Sequence, residues 1–159
     1  MDDLFAPPAL EWRRLSPGYR NLRRLTTALV APILFSVPAL VFGLWWVSLA
    51  LWAVAAVIVV VRWHLVERTW RSWGYVERDD DLYITHGVVF RSLVAVPYGR
   101  MQLVEVASGP LERAFGLATV SLRTASPETN ATIPGLPPEE AARLRDRLTE
   151  LGEAHASGL

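Results

Sequence analysis

Between Arg24 and Arg62 the chain runs for thirty-seven residues without a charged side chain. The only departures from apolar character in that run are Thr26, Thr27, Ser36, Ser48, Pro32, Pro38 and Gly43. One bilayer crossing takes about 20 apolar residues, so the run is nearly twice one span. Two helices over 25–42 and 44–61, joined at Gly43, satisfy it. Each arm of about 18 residues rises about 27 Å, close to the thickness of a hydrocarbon core. Trp45 and Trp46 beside the turn suit a headgroup interface. The run predicts a transmembrane helical hairpin. A cleaved leader fits poorly, because its apolar region is only about 7–15 residues long and a small-residue cleavage site follows it.

The 159-residue chain leaves one modest domain after this hairpin, of roughly 85 residues, enough for a single core. Cysteine is absent, which excludes disulfides, thiol nucleophiles and cysteine-based zinc sites. A net charge of zero hides an uneven distribution. Residues 1–24 carry five arginines against three acids, residues 62–72 three against one, and residues 73–159 eight against twelve. The positive charge flanks the apolar run and the remainder is mildly acidic. Nucleic acid is therefore not expected as a partner, since phosphate binding needs a basic footprint. An arginine excess marks the cytoplasmic side. Counting it predicts a multi-pass protein of the plasma (inner) membrane with both termini cytoplasmic. Trp12, Arg23, Arg24, Trp45, Trp46, Arg62, Trp63, Trp70 and Arg71 are the expected interface anchors. A pump or channel would place an ionisable group inside the run, and none is there.

The chain divides into five segments: an Arg/aromatic N-terminal stretch 1–24, the hairpin 25–61, a Trp/Arg joint 62–73, a domain 74–152 and a tail 153–159. In the joint, Trp63, Val66, Trp70 and Trp73 fall on one helical stripe. After Gly74 the pattern becomes strand-like. Short alternating segments are expected over 75–78, 82–86, 88–96, 101–107, 118–124 and 131–133, with a helical turn in 109–116. Pro137-Pro138-Glu139-Glu140 opens a final helix, with Ala141, Leu144, Leu148 and Leu151 on one face and Gly152 at its end. Glu139 and Arg143 stand at favourable i,i+4 spacing. Successive short strands closed by one amphipathic helix predict a small β-barrel or curved sheet capped by that helix.

No constellation of residues suggests catalysis, a cofactor or a metal. His64, His86 and His155 lack ligand spacing. Asp79-Asp80-Asp81 could hold a hard cation, but acids of this kind are common in solvated turns. Arg78, Arg91, Arg100 and Arg123 are candidate contacts for a phosphate or lipid headgroup. Arg100 in Pro97-Tyr98-Gly99-Arg100-Met101-Gln102 has the alternative role of fixing that turn on backbone carbonyls.

The hairpin, the Tyr83-Ile84-Thr85-His86-Gly87-Val88 segment and the Val96-Pro97-Tyr98-Gly99-Arg100-Met101-Gln102 segment form a distinctive series. So do the segment from Gly109-Pro110-Leu111-Glu112-Arg113-Ala114 to Phe115-Gly116-Leu117-Ala118 and the later Ile133-Pro134-Gly135-Leu136. Together they resemble the bacterial pleckstrin-homology-domain (bPH2) membrane proteins, the YdbS-like group. The resemblance covers nearly the whole chain. It implies an α+β membrane protein in which the hairpin precedes a pleckstrin-homology-like barrel or curved sheet capped by the C-terminal helix. It brings no enzymatic activity. The expected role is that of a membrane-anchored, non-catalytic module that assembles with a partner at the cytoplasmic face, either another multi-span protein carrying such domains or a second copy. The alternative is a binder of anionic lipid headgroups at the inner leaflet, aided by the flanking arginines.

Overall fold

The computed structural model describes residues 11–42, 45–125 and 129–156. The turn expected at Gly43, residues 1–10, residues 126–128 between two of the expected strands, and residues 157–159 of the expected tail lie outside the described residues. Side chains are not described for Phe35, residues 37–42, Trp45 and Ala156. In chain order the elements are helix α1 (Pro17–Phe42), helix α2 (Trp45–Ser72), strands β1 (Gly74–Glu77), β2 (Asp81–His86) and β3 (Ser92–Pro97), a single 3-10 turn (Tyr98–Arg100), strand β4 (Met101–Ala107), helix α3 (Pro110–Ala114), strands β5 (Ala118–Thr124) and β6 (Ala131–Leu136), and helix α4 (Pro138–Ala156). Two compact units result, one comprising Arg20–Arg68 and the other the N-terminal segment up to Tyr19 together with Thr69–Leu159.

In the helical unit, α1 begins within the charged flank. Arg20, Arg23 and Arg24 occupy its first turns while Leu22 is buried, and Pro32 and Pro38 lie further along it. Among the described residues, one helix, Trp46–Ser72, is long and apolar enough to cross a membrane. At about 1.5 Å per residue its 27 residues span about 40 Å. Leu49, Trp52, Val57 and Val60 along it are exposed. The expected two-helix transmembrane hairpin is thus corrected to one candidate span. The multi-pass topology, and the cytoplasmic placement of both termini counted from it, loses its second crossing. Arg24 donates to Glu67 at 2.8 Å and its guanidinium lies 4.6 Å from the Trp63 ring, while Arg20 reaches Glu67 at 3.5 Å. Trp46 and Arg62 are exposed.

The other unit holds two three-stranded antiparallel sheets, ordered β1-β2-β3 and β4-β5-β6. No ladder joins them among the described residues. The closed barrel is therefore corrected to two open sheets, because alternation in a strand says which face is buried but not which neighbour closes the edge. Tyr75, Leu82, Ile84, Val96 and Tyr98 from the first half and Leu117, Val120, Leu122, Ile133 and Leu136 from the second make up the buried core, all at most 2% exposed. Helix α4 lays Ala141, Leu144 and Leu148 over this core, each fully buried. It continues past Gly152 to Ala156, and an added Cβ at Gly152 would make ordinary contact with the Tyr98 carbonyl oxygen at 3.6 Å. Burial pushes the Tyr98 phenol up to about 12, and its hydroxyl donates to the Arg78 carbonyl at 2.9 Å.

The N-terminal segment belongs to this core. Leu15 is 2% exposed and Tyr19 is 8% exposed. Ser16 caps α1 by accepting from the Gly18 amide at 3.2 Å, with Pro17 in the first helical position.

Candidate functional site

Each sheet has two outer edges, and an unpaired edge presents backbone donors and acceptors to any other extended chain. On β1 that edge is taken by the chain itself. Arg13 and Tyr75 exchange both amide-to-carbonyl bonds, at 2.9 and 3.0 Å. Three residues on, the Ser16 amide donates to the Gly135 carbonyl of β6 at 3.0 Å. Residues 13–16 thus form a strap from the edge of one sheet to the edge of the other. Trp70 fastens it, its indole N–H donating to the Leu15 and Ser16 carbonyls at 3.2 and 3.1 Å. Trp12 packs on Gly74, and Arg14 donates to the Arg71 carbonyl. Trp12, Trp70 and Arg71, expected as interface anchors, are therefore all engaged in holding the strap.

A polar cluster secures the same corner. Oε1 of Glu140 accepts from the Tyr75 hydroxyl at 2.7 Å and from Arg13 and Arg143 at 2.8 Å each. Arg143 also donates through Nε to Oε2 at 2.9 Å and reaches across to Glu77. It therefore pairs with Glu140 and Glu77 where the i,i+4 spacing suggested Glu139. Hydrogen bonds from Arg143, then from Tyr75 and Arg13, hold the Glu140 carboxyl down at about 2. Burial and the bond to Glu140 push the Tyr75 phenol above its usual range. Glu140 reads from the sequence as an ordinary helix-start acid, and its partner Tyr75 as an ordinary strand residue.

The opposite corner is open. Among the described residues β4 pairs with β5 alone. No β4 residue is buried, whereas β5 alternates buried and half-buried positions over most of its length. Val104 and Val106 are only half-covered, and Leu103 is 49% exposed. A register shift between Met101 and Leu103 bends the start of the strand. Along it runs a groove of about 360 Å³, with Met101, Leu103 and Val104 on the strand side and Leu148, Gly152 and Glu153 on α4. A slot with an apolar floor, a hydrogen-bonding edge and one carboxylate can receive an extended polypeptide.

The four candidate arginines lie on different elements. Arg78 follows β1, with its guanidinium 5.7 Å from the Tyr83 ring. Arg91 precedes β3 at the other end of β2, roughly 17 Å away along a six-residue strand. Arg100 ends the 3-10 turn, where its carbonyl accepts from the Ala125 amide at 3.4 Å. Arg123 is exposed on β5 opposite Leu103. Among the described residues no group of three or more His, Asp or Glu is placed to hold a metal ion.

A family model described as a bacterial PH domain matches residues 27–152. The chain is 34% identical over 102 residues to the UPF0699 transmembrane protein YdbS of Bacillus subtilis (strain 168). That alignment takes in 64% of this chain and 62% of the relative, so the chain spans less than two thirds of the relative's length. No solved structure matches it.

Proposed function

The chain belongs to the bacterial PH-domain family, and from this premise we propose that it assembles with a partner protein by accepting an extended segment on the open edge of β4. In its coarser outline it is a PH-like, membrane-associated, non-catalytic module. The observation carrying the finer reading is the contrast between the two corners. One is closed by the chain's own strap, and the other leaves an unburied strand beside an apolar groove. Strand addition gains affinity from main-chain hydrogen bonds and specificity from pockets for alternate side chains. Leu103 and Val104 favour apolar residues in the incoming segment, and Glu153 with Glu105 favours a basic one. Another PH-domain membrane protein or a second copy of this chain supplies such a segment.

The test is photo-crosslinking in native membranes. A photoreactive phenylalanine analogue at Leu103 is expected to give a discrete protein adduct. The same probe at Leu111, similarly exposed on α3, gives none. Leu103→Asp lowers partner recovery at least about tenfold, the loss typical of a contact at the centre of an interface. Equal adducts at both positions would sink the proposal. Adducts to lipid alone at Leu103, dispersed by salt, would favour headgroup capture instead.

A further inference from the structure

The two most exposed large apolar residues among those described are neighbours. Val89 is 78% and Phe90 is 89% exposed, beyond any large apolar residue of the candidate span, where the highest value is 66%. They form the tip of the β2–β3 hairpin, between His86 and Ser92. Gly87 closes that turn at φ 102, and a Cβ there would sit 1.9 Å from the Phe90 carbonyl oxygen. The backbone at Phe90 is therefore drawn against Gly87. A turn closed this tightly has no slack with which to fold its own tip away.

We propose that Val89 and Phe90 form an apolar wedge that enters the boundary between headgroups and acyl chains of a lipid bilayer. Three observations choose lipid as the occupant. First, residues 82–98 contain no acid, and their one arginine, Arg91, adjoins the tip, within a stretch 73–159 that carries four more acids than arginines. A wedge with a neighbouring guanidinium suits acyl chains beneath phosphates. Second, the hairpin base is tied to the end of the candidate span. Trp73, which directly follows Ser72, stacks on His86 with ring centroids 4.8 Å apart and planes at 21°. The base of the hairpin therefore packs on the residue that follows a segment fit for a membrane. Third, two side chains are far too little surface for a stable protein interface, which buries about 1,200–2,000 Å². A bilayer needs no matching shape, and a chain held at a membrane by its own span gives the tip a high effective concentration there.

The chain has no cysteine, so single-cysteine variants can carry a spin label directly. The full chain with Phe90→Cys, and separately Val89→Cys, is reconstituted into neutral phosphatidylcholine vesicles. Relaxation by oxygen, which concentrates in lipid, is compared with relaxation by a water-soluble nickel chelate. Asp79→Cys, at the far end of β2, serves as the aqueous control. Both tip labels are expected to favour oxygen at least about threefold over the control, unchanged between about 0.1 and 0.5 M salt, since an apolar contact is not screened. Tip labels as open to the chelate as the control would overturn the proposal. Shielding from both reagents would overturn it in favour of a protein contact. Insertion that requires anionic lipid and is lost in salt would overturn the apolar wedge in favour of electrostatic attraction.

Discussion

Gly135→Ala is expected to release the N-terminal strap and lower the melting temperature by roughly 12–24 °C. Gly135 has φ 68, and a Cβ there would fall 2.4 Å from the Cβ of Tyr19. Two costs combine. A left-handed conformation is unfavourable for alanine by about 1 kcal/mol. Displacing the buried Tyr19 ring costs about 2 kcal/mol more. At about 4–8 °C per kcal/mol for a domain of this size, their sum gives the range stated. The Ser16 to Gly135 hydrogen bond goes with the displaced ring, so trypsin should cut after Arg13 and Arg14 well before the sheets unfold. The two costs separate in a double-mutant cycle. On a Tyr19→Gly background, which removes the clashing Cβ together with the ring, Gly135→Ala should cost only the conformational part, about 1 kcal/mol. A melting temperature within about 2 °C of the parent for Gly135→Ala, well under the loss set by the strain and burial costs, would show that the close approach at Tyr19 does not hold the strap.

Glu140→Gln is expected to cost about 2 kcal/mol, the range for charge-assisted hydrogen bonds left without their carboxylate. Three donors converge on one oxygen of this residue, and an amide oxygen accepts them without countering the two guanidinium charges. The change also alters the response to acid. The Glu140 carboxyl ordinarily titrates at 4.5 and is lowered to about 2 in the fold. A depressed carboxylate contributes stability that is present above 4.5 and is lost as pH falls from there towards about 2. Denaturant titrations at pH 6 and pH 3 should therefore show a smaller loss on acidification in Glu140→Gln than in the parent. Glu139→Gln, at an exposed neighbouring position, should shift stability by less than about 0.5 kcal/mol at either pH. An unchanged acid slope in Glu140→Gln would remove this residue from the account of the corner. His86 adds a slope of the same sign at higher pH. Burial lowers its pKa below the usual 6.5, so its share of stability is full above 6.5 and falls as acid drives the ring towards its charge.

Local pattern was informative where local chemistry decides the outcome. β4 and β5 begin and end where their alternation does, and Ala141, Leu144 and Leu148 make the buried face of α4 as their spacing implies. The β2–β3 turn was harder to read, because Val88 to Arg91 continue an alternating pattern through what is in fact a turn. Only the φ of Gly87 separates the two. Helix α4 runs on past Gly152, and a glycine inside a helix looks the same in sequence as a glycine that ends one. The pairing of edges was not legible at all. Arg13 and Glu140 lie 127 positions apart, and nothing near either residue announces the other. The same holds for the open edge of β4, which is defined by the lack of a second paired strand among the described residues.

The strap has a temporal consequence. Arg13 is synthesised first and its partner Glu140 emerges 127 residues later, with the whole apolar run between them. At about 5–20 residues per second, the strap waits roughly 6–25 s for its counterpart. For most of that interval β6 has not been made, so the strap cannot yet bridge the two sheets, while the membrane-seeking segment has already left the ribosome. Closure of the fold is thus its latest step, and any factor that shields a nascent strand edge acts within that window.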